Sequence, residues 1–167
     1  MTIAAGGGSA SRSQLAVPIR ISAKADYAIR ACAELAASSA AKLVSGDQIA
    51  RAQHIPVRFL LNILTELRRA RIVRSHRGTD GGYQLARPAG GITIAEILHA
   101  VEGPVARIRD LSPQELRYAG AAEHLRDVWV AVQTTLEDVL QGVTLADLVD
   151  GTLPPAVATF SRDPPAQ

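Results

Sequence analysis

The chain has 167 residues, 47% of them apolar and 4% aromatic, and its 18 basic and 16 acidic side chains give a formal net charge of +2. That length fits one domain with an accessory segment, and the 29 alanines favour helices over sheet. The single cysteine, Cys32, excludes an internal disulfide and a metal or cluster site made of several cysteines of one chain. The sequence has no run of 18 apolar residues, and residues 1–13 have no apolar core of a secretory signal, so we expect a cytoplasmic location.

The charge is unevenly distributed along the chain. Residues 1–50 carry +2, residues 51–87 carry +6 and residues 88–167 carry −6. A compact arginine-rich segment is typical of nucleic-acid binding, because the planar guanidinium fits phosphates and guanine edges. The alternative is a solvated helix face. All eight basic residues of the middle segment are arginines: Arg51, Arg58, Arg68, Arg69, Arg71, Arg74, Arg77 and Arg87.

Three helices are predicted in the first half of the chain. The first starts after Ser22 and ends near Ser38, and the second runs from Ser45, the start of an S-x-x-Q capping box, to about His54. The third begins near Pro56, and two short helices in tandem predict a helix-turn-helix. The third helix has two faces, apolar at Leu60, Ile63, Leu64 and Leu67, and polar at Arg58, Asn62, Thr65 and Arg69.

A β-hairpin and a fourth helix should follow. Residues 72–77 and 83–86 are predicted strands, and the glycine-rich segment 78–82 between them predicts a basic hairpin that forms a wing. We expect Tyr83 to pack within the hairpin rather than stack on a base. Thr93 caps a helix from Ile94 to about Val101.

The C-terminal region predicts a long amphipathic helix. After a linker at 104–111, Ser112, Pro113 and Glu115 form a helix start, and helical spacing continues to about Gln141. Gly120 could interrupt a helix that would otherwise measure about 43 Å. Such a helix most simply packs against a second copy, and the alternative is that it fills the core of its own chain. The expected dimer contacts are Leu125, Val128, Trp129, Val132 and Leu136.

These predictions define a mainly α fold with a small β-hairpin. A winged helix-turn-helix domain spans 20–103, and a dimerisation helix with a short terminal helix spans 112–153. Residues 1–19 are predicted to be a disordered N-terminal tail, and residues 154–167 a C-terminal tail that is disordered over 161–167.

Several motifs, in the same order, resemble the Rrf2 family of bacterial transcriptional regulators. They are Lys24-Ala25-Asp26-Tyr27-Ala28-Ile29-Arg30, residues 49–56 and 60–69, Arg77-Gly78-Thr79-Asp80-Gly81-Gly82-Tyr83-Gln84-Leu85 and residues 92–103, with Trp129 and 144–148 further on. The resemblance covers about residues 20–150. It implies a winged helix-turn-helix, homodimerisation through the long helix and binding of double-stranded DNA at a palindromic operator.

The sequence departs from the family at two places. Well-known members hold an iron–sulfur cluster with three cysteines in the linker region, whereas residues 102–125 here contain none. Asp26 matches a carboxylate ligand of some relatives, yet it cannot hold a cluster without thiolates. We therefore expect a member with no cofactor and no metal. In the wing, Thr79 and Asp80 replace a common Pro-Gly, and Asp80 brings a negative charge towards DNA.

We expect the third helix to enter the major groove. Arg58 and Asn62 would contact base edges, because arginine pairs with guanine and asparagine with adenine in bidentate geometry. Leu61 would touch a thymine methyl or simply pack. Thr65, Arg68 and Arg69 would contact phosphate, and Arg77 at the wing tip would enter the minor groove. The complete expected set is Ser45, Arg58, Leu61, Asn62, Thr65, Arg68, Arg69, Arg77 and Gly78.

Other functions have weaker support in the sequence. The four histidines lack metal-binding spacing, and no catalytic motif is present, so we expect neither a metal site nor an enzyme. Cys32, on an apolar helix face, is more typical of a small core residue than of a redox sensor. The main function predicted is a homodimeric DNA-binding repressor. The alternative is a regulator whose acidic C-terminal half binds an enzyme or another regulator, and a small-molecule or protein effector is possible in either case.

Overall fold

A computed structural model describes residues 21–39, 42–78, 80–103 and 111–158. The predicted N-terminal tail 1–19 lies outside these residues, as does the predicted linker 104–111 except for Leu111. Among the described helices, none has both the length and the apolar character needed to span a bilayer. The elements are α1 (Ala23–Ala37), α2 (Gly46–Gln53), α3 (Val57–Arg69), β1 (Val73–His76), β2 (Gly82–Leu85), α4 (Ile94–Glu102), α5 (Leu125–Gln141), α6 (Leu145–Asp150) and α7 (Pro155–Ala158).

The helix starts agree with the capping residues of the sequence. The Ser22 hydroxyl accepts a hydrogen bond from the Ala25 N–H at 3.0 Å and so begins α1. Ser45 and Gln48 form the predicted capping box of α2. Both caps satisfy backbone N–H groups that a helix start would otherwise leave without partners.

The core lies where α1, α3 and α4 meet. Small side chains on α1, among them Ala28, Ala31 and Cys32, are fully buried and allow the neighbouring helices to approach closely. The apolar stripe of α3 faces this core, and all four of its members are at most 1% exposed. Burial of that stripe turns the polar face of α3 away from the core.

The hairpin is antiparallel, with the register running from Val73 opposite Leu85 to His76 opposite Gly82. A third segment, which the sequence did not predict, pairs with its outer edge: Val44 and Tyr83 exchange backbone hydrogen bonds at 3.0 and 2.8 Å. A Cβ at Gly82 would lie 2.8 Å from the Val44 carbonyl oxygen, so this pairing requires glycine.

The continuous helix from Pro113 is not formed, and Gly120 lies at the break. The capping box of Ser112 and Glu115 supports a single 3₁₀ turn, Pro113–Glu115, after which Leu116 becomes extended and 1% exposed. Gly120 has φ of 61°, and α5 begins only at Leu125, so it has 17 residues. Burial of Leu116 thus competes successfully with continuation of the helix.

The C-terminal elements are hydrogen-bonded to the segment at the start of α4. Ile94 donates its N–H to the Val143 carbonyl, and Leu145 donates to the Ile92 carbonyl, both at 2.9 Å. Within the predicted C-terminal tail 154–167, α7 lies at Pro155–Ala158 and Val157 packs, partly buried, against the core. Its residues beyond 158 lie outside the described part.

Candidate nucleic-acid interface

The outward face of α3 presents the polar side chains that the sequence selected. Arg58, Asn62 and Arg69 are exposed, and Thr65 is half-buried on the same face. Within the described part of the chain, the side chains of Arg58, Asn62 and Arg69 make no hydrogen bond or ion pair. These donors are therefore available to an external ligand.

The back of α3 is fixed to the rest of the domain. The Lys24 ammonium of α1 lies 2.8 Å from the Glu66 carboxylate and donates to the Val101 carbonyl of α4 at 2.6 Å. The Tyr27 and Phe59 rings pack edge to face with centroids 5.9 Å apart. These contacts, which the sequence analysis did not identify, hold the polar face of α3 in a defined orientation.

The turn between α2 and α3 depends on His54, whose φ of 52° lies in the left-handed region. Its N–H and that of Ile55 bond back to carbonyls of α2, and the Ile55 side chain is buried. This arrangement is a Schellman motif, which normally favours glycine at the left-handed position. From α1, Arg30 donates to the Gln53 carbonyl and so holds the end of α2.

Several of the expected contact residues also make contacts within the fold. The Ser45 oxygen accepts the capping bond of α2, which leaves its hydroxyl hydrogen unused by that bond. The Thr65 hydroxyl donates to the Leu61 carbonyl at 2.9 Å, and that bond would have to break before Thr65 could donate to phosphate. Leu61 is 42% exposed and lies beside Gly46.

The wing starts directly beside the end of α3. Arg68 donates to the Ser75 hydroxyl of β1 at 3.3 Å, and this bond joins the helix to the hairpin. Arg77, Gly78 and Asp80 are exposed near the tip, and Gly78 has φ of 118°. Thr79 lies outside the described residues. Tyr83 packs, partly buried, against the core, which confirms the packing role predicted for it.

A second surface lies on α5, far along the chain from the basic segment. Val128, Val132 and Val139 are 52%, 42% and 39% exposed and share a face with the half-buried Leu136. We call these four residues the α5 stripe. A shallow depression of about 440 Å³ lies along it.

The other two expected dimer residues, Leu125 and Trp129, are half-buried. Trp129 is thus not among the buried core residues of the described part of the chain. On another face of α5, Gln133 is 7% exposed and donates to the Glu137 carboxylate at 2.8 Å.

Potential metal-ligating groups do not come together in the described part of the chain, where no three His, Cys, Asp or Glu side chains form a cluster. Cys32 is fully buried, and burial raises the pKa of its thiol to about 12. Asp26 is exposed and pairs with Arg30 at 3.0 Å. The residues therefore provide neither an accessible thiolate nor a carboxylate positioned beside one.

Comparison with known proteins places these features in a family. The chain matches the Rrf2 family, described as iron-dependent transcriptional regulators, over residues 21–151. It is 47% identical over 149 residues to a Mycobacterium tuberculosis protein named as an HTH-type transcriptional regulator, Rv1287, covering 89% of this chain and 92% of that protein.

Solved structures show the same architecture. The structure of CymR, the global cysteine regulator of Bacillus subtilis, aligns with a TM-score of 0.68 at 28% identity, covering 80% of this chain and 98% of that one. IscR of T. potens aligns with a TM-score of 0.65 at 28% identity, covering 88% and 93%. The winged-helix fold expected from the sequence is thus confirmed.

The residues of this chain do not fit an iron–sulfur cluster held by several thiolates of one chain. Ligation of an iron–sulfur cluster uses several thiolates, and the whole chain contains one cysteine, which is buried in α1. The high pKa of Cys32 opposes even a single thiolate ligand.

Proposed function

Because the chain belongs to the Rrf2 family of transcriptional regulators, we propose that it is a homodimeric repressor that binds a palindromic operator in the bacterial cytoplasm without an iron–sulfur cluster. The observation that carries the proposal is the exposed polar face of α3, whose donors Arg58, Asn62 and Arg69 have no partner among the described residues. A rigid helix that displays unpaired donors beside a basic hairpin matches the needs of major-groove binding.

The proposal assigns different tasks to the two ends of α3. Arg58 and Asn62, one turn apart near the start of the helix, contact base edges, and the exposed Leu61 between them contacts a thymine methyl. Arg69 near the end contacts phosphate, and Arg77 of the wing enters the minor groove. Ser45, Thr65, Arg68 and Gly78 add phosphate contacts, with Thr65 giving up its bond to Leu61.

The test compares Arg58→Ala with Arg69→Ala on operator DNA recovered from a random-sequence library by the wild-type chain. Arg58→Ala should lose about 1–3 kcal/mol on the preferred base pair and relax the preference there. Arg69→Ala should weaken binding on all sequences alike and lower the salt slope by about 1. An equal loss of sequence preference in both variants would contradict the assignment.

Dimerisation is proposed through the α5 stripe. Three exposed valines on one helix face leave apolar surface in water. Burial of each valine in an interface would stabilise the dimer by about 1–2 kcal/mol. A second copy is the natural occupant, because a stripe that packs on itself about a twofold axis also presents two recognition helices to a palindrome.

Repression requires only that the bound dimer covers promoter DNA. Transcription in vitro from a promoter that overlaps the selected operator should fall as the chain is added. A rise in transcript would show an activator instead.

The absence of a cluster is tested by a UV–visible spectrum and an iron and sulfide analysis of protein purified without oxygen. The proposal requires colourless protein with no stoichiometric iron. Visible charge-transfer bands with iron and sulfide would overturn it.

A further inference from the structure

Lys24 of α1 lies where three helices meet. Its ammonium is 2.8 Å from the Glu66 carboxylate of α3 and donates to the Val101 carbonyl of α4 at 2.6 Å. The Lys24 and Glu66 side chains are 31% and 32% exposed, so salt screens this pair less than a pair that lies fully in water. One ammonium on α1 thus holds an oxygen of α3 and an oxygen of α4 together.

The two oxygens that Lys24 joins both carry negative charge. Glu66 lies in the last turn of α3, and Val101 lies in the last turn of α4. The last carbonyls of a helix have no partner within it, and the C-terminal end of a helix carries a partial negative charge. Without the ammonium, the Glu66 carboxylate and the negative end of α4 would repel each other and push α3 away from α4.

A second contact fixes the same flank of α3. Phe59 and Glu66 are seven residues, or about two helical turns, apart, so they lie on one side of the helix, between its buried stripe and its polar face. Phe59 packs edge to face on Tyr27, which follows Lys24 by three residues on α1. Two points of contact along one flank define the rotation of α3 about its own axis.

We propose that Lys24 is a positioning residue for sequence recognition. By holding Glu66 against the end of α4, it sets the rotation of α3 at which Arg58 and Asn62 meet base edges. The inference rests on the proposed function, in which these two side chains contact bases. Bidentate contacts with bases require accurately placed donors, whereas binding to unrelated DNA depends on phosphate contacts. Loss of the Lys24 charge should therefore weaken binding to the operator and leave binding to unrelated DNA nearly unchanged.

The test replaces Lys24 with methionine, which keeps most of the side-chain length and removes the charge. Dissociation constants are measured over a range of salt concentrations on an unrelated duplex and on operator DNA that the wild-type chain selects from a random-sequence library. Lys24→Met should bind the operator about 3–10-fold more weakly, with an unchanged salt slope. Lys24→Arg keeps the positive charge and should recover most of the operator affinity.

Arg126→Gln is the matched control. It also removes a cation, because Arg126 is an exposed arginine of α5 that pairs with Asp127 at 3.7 Å and lies outside the α5 stripe. This variant should match the wild type on both DNAs.

Glu66→Gln gives the sharpest comparison, because it removes the carboxylate that Lys24 neutralises. Added to Lys24→Met, it should restore operator affinity to within about twofold of the wild type, since neither partner is then left with an uncompensated charge. A double variant that binds the operator no better than Lys24→Met would overturn the proposal.

Two results with Lys24→Met alone would also overturn the proposal while the proposed function stands. One is an unchanged operator affinity. The other is an equal loss on both DNAs, whether Lys24 contacts phosphate or only stabilises the fold. If the wild-type chain enriches no sequence from the library, the proposed function itself fails.

Discussion

His54 and Arg71 are the non-glycine residues with positive φ in the described ranges, and they flank the two ends of α3. His54 forms the turn that leads into α3, and Arg71 forms the turn that leads out of it. Both turns are Schellman motifs closed by a buried isoleucine, Ile55 or Ile72. The orientation of α3 is therefore set by two strained residues, each fixed by the burial of its neighbour.

Replacing His54 with glycine tests this strain. His54→Gly should stabilise the fold by about 0.5–1 kcal/mol, because relief of the left-handed backbone outweighs the added entropy of the unfolded chain. His54→Ala is the control, since it removes the imidazole and keeps the strain. Urea unfolding of the two variants gives the comparison. A glycine variant less stable than the alanine variant would contradict the role of φ.

Cys32 gives a second prediction about a single residue. Because burial raises the pKa of its thiol to about 12, almost no thiolate exists near pH 8, and reagents cannot reach the sulfur in the folded chain. An aromatic disulfide reagent should therefore label native protein only as fast as it unfolds. The urea-unfolded chain, as the control, should react at the rate of a free thiol. Equal labelling rates for the native and unfolded chains would show that Cys32 is accessible and would favour a role as a redox sensor.

At the scale of elements, local signals predicted the helices well and predicted long-range pairings poorly. The capping boxes at Ser45 and Thr93 mark helix starts because each satisfies backbone groups within a few residues. The same box at Ser112 gives only one turn, after which Leu116 is extended and buried, and no local pattern in the sequence shows that burial. The pairing of Val44 with Tyr83 likewise depends on packing that no local pattern shows.

The exposed face of α3 was predictable to the same degree. The periodicity of α3 separates its buried face from its exposed face, so Arg58, Asn62 and Arg69 could be selected from the sequence. The groove lined by Arg68, Arg71, Arg74 and Arg87 could not, because it depends on the position of β1 beside the end of α3. The one available signal was the concentration of arginines in residues 51–87.

The capping box of α4 makes the stability of the fold sensitive to acid. Burial acts to raise the pKa of Glu96, but hydrogen bonds from Thr93 and the charge and hydrogen bond of Arg87 outweigh it and leave the pKa below its usual value. A carboxylate with a lowered folded pKa stabilises the fold above its unfolded pKa of about 4.3, and that stability is lost as the pH falls through the folded value.

The urea midpoint of the wild type should therefore fall between about pH 5 and pH 3. Glu96→Gln keeps the shape and hydrogen-bonding capacity but has no charge to lose, so its midpoint should fall less over the same range. Wild-type and variant curves that remain parallel would show that Glu96 does not contribute. Hydrogen bonds from Thr144 also lower the pKa of Asp147, so this carboxylate contributes in the same direction.

At the scale of the whole molecule, the proposed DNA-binding and dimerisation roles fall on two surfaces of opposite charge. The arginine-rich segment 51–87 contains the polar face of α3 and the wing, and the acidic C-terminal region carries the α5 stripe. A charge of −6 after residue 87 disfavours contact of that region with DNA, which helps to orient the domain on the duplex.

Val132→Glu tests whether the stripe joins two copies. A buried carboxylate at the centre of the interface should shift the chain to a monomer and reduce operator affinity by at least about tenfold. Val149→Glu is the matched control, because Val149 is 39% exposed on α6 outside the stripe. Sedimentation gives the mass and a DNA titration gives the affinity. A Val132→Glu chain that remains dimeric would place the interface elsewhere.

Selection of DNA from a random-sequence library by the purified wild-type chain tests the central claim most directly. A homodimer that reads bases with α3 should enrich an inverted repeat whose half-sites lie about 10–10.5 base pairs apart, or a multiple of that spacing. A folded chain that enriches no sequence would contradict the claim that this protein is a sequence-specific DNA-binding regulator.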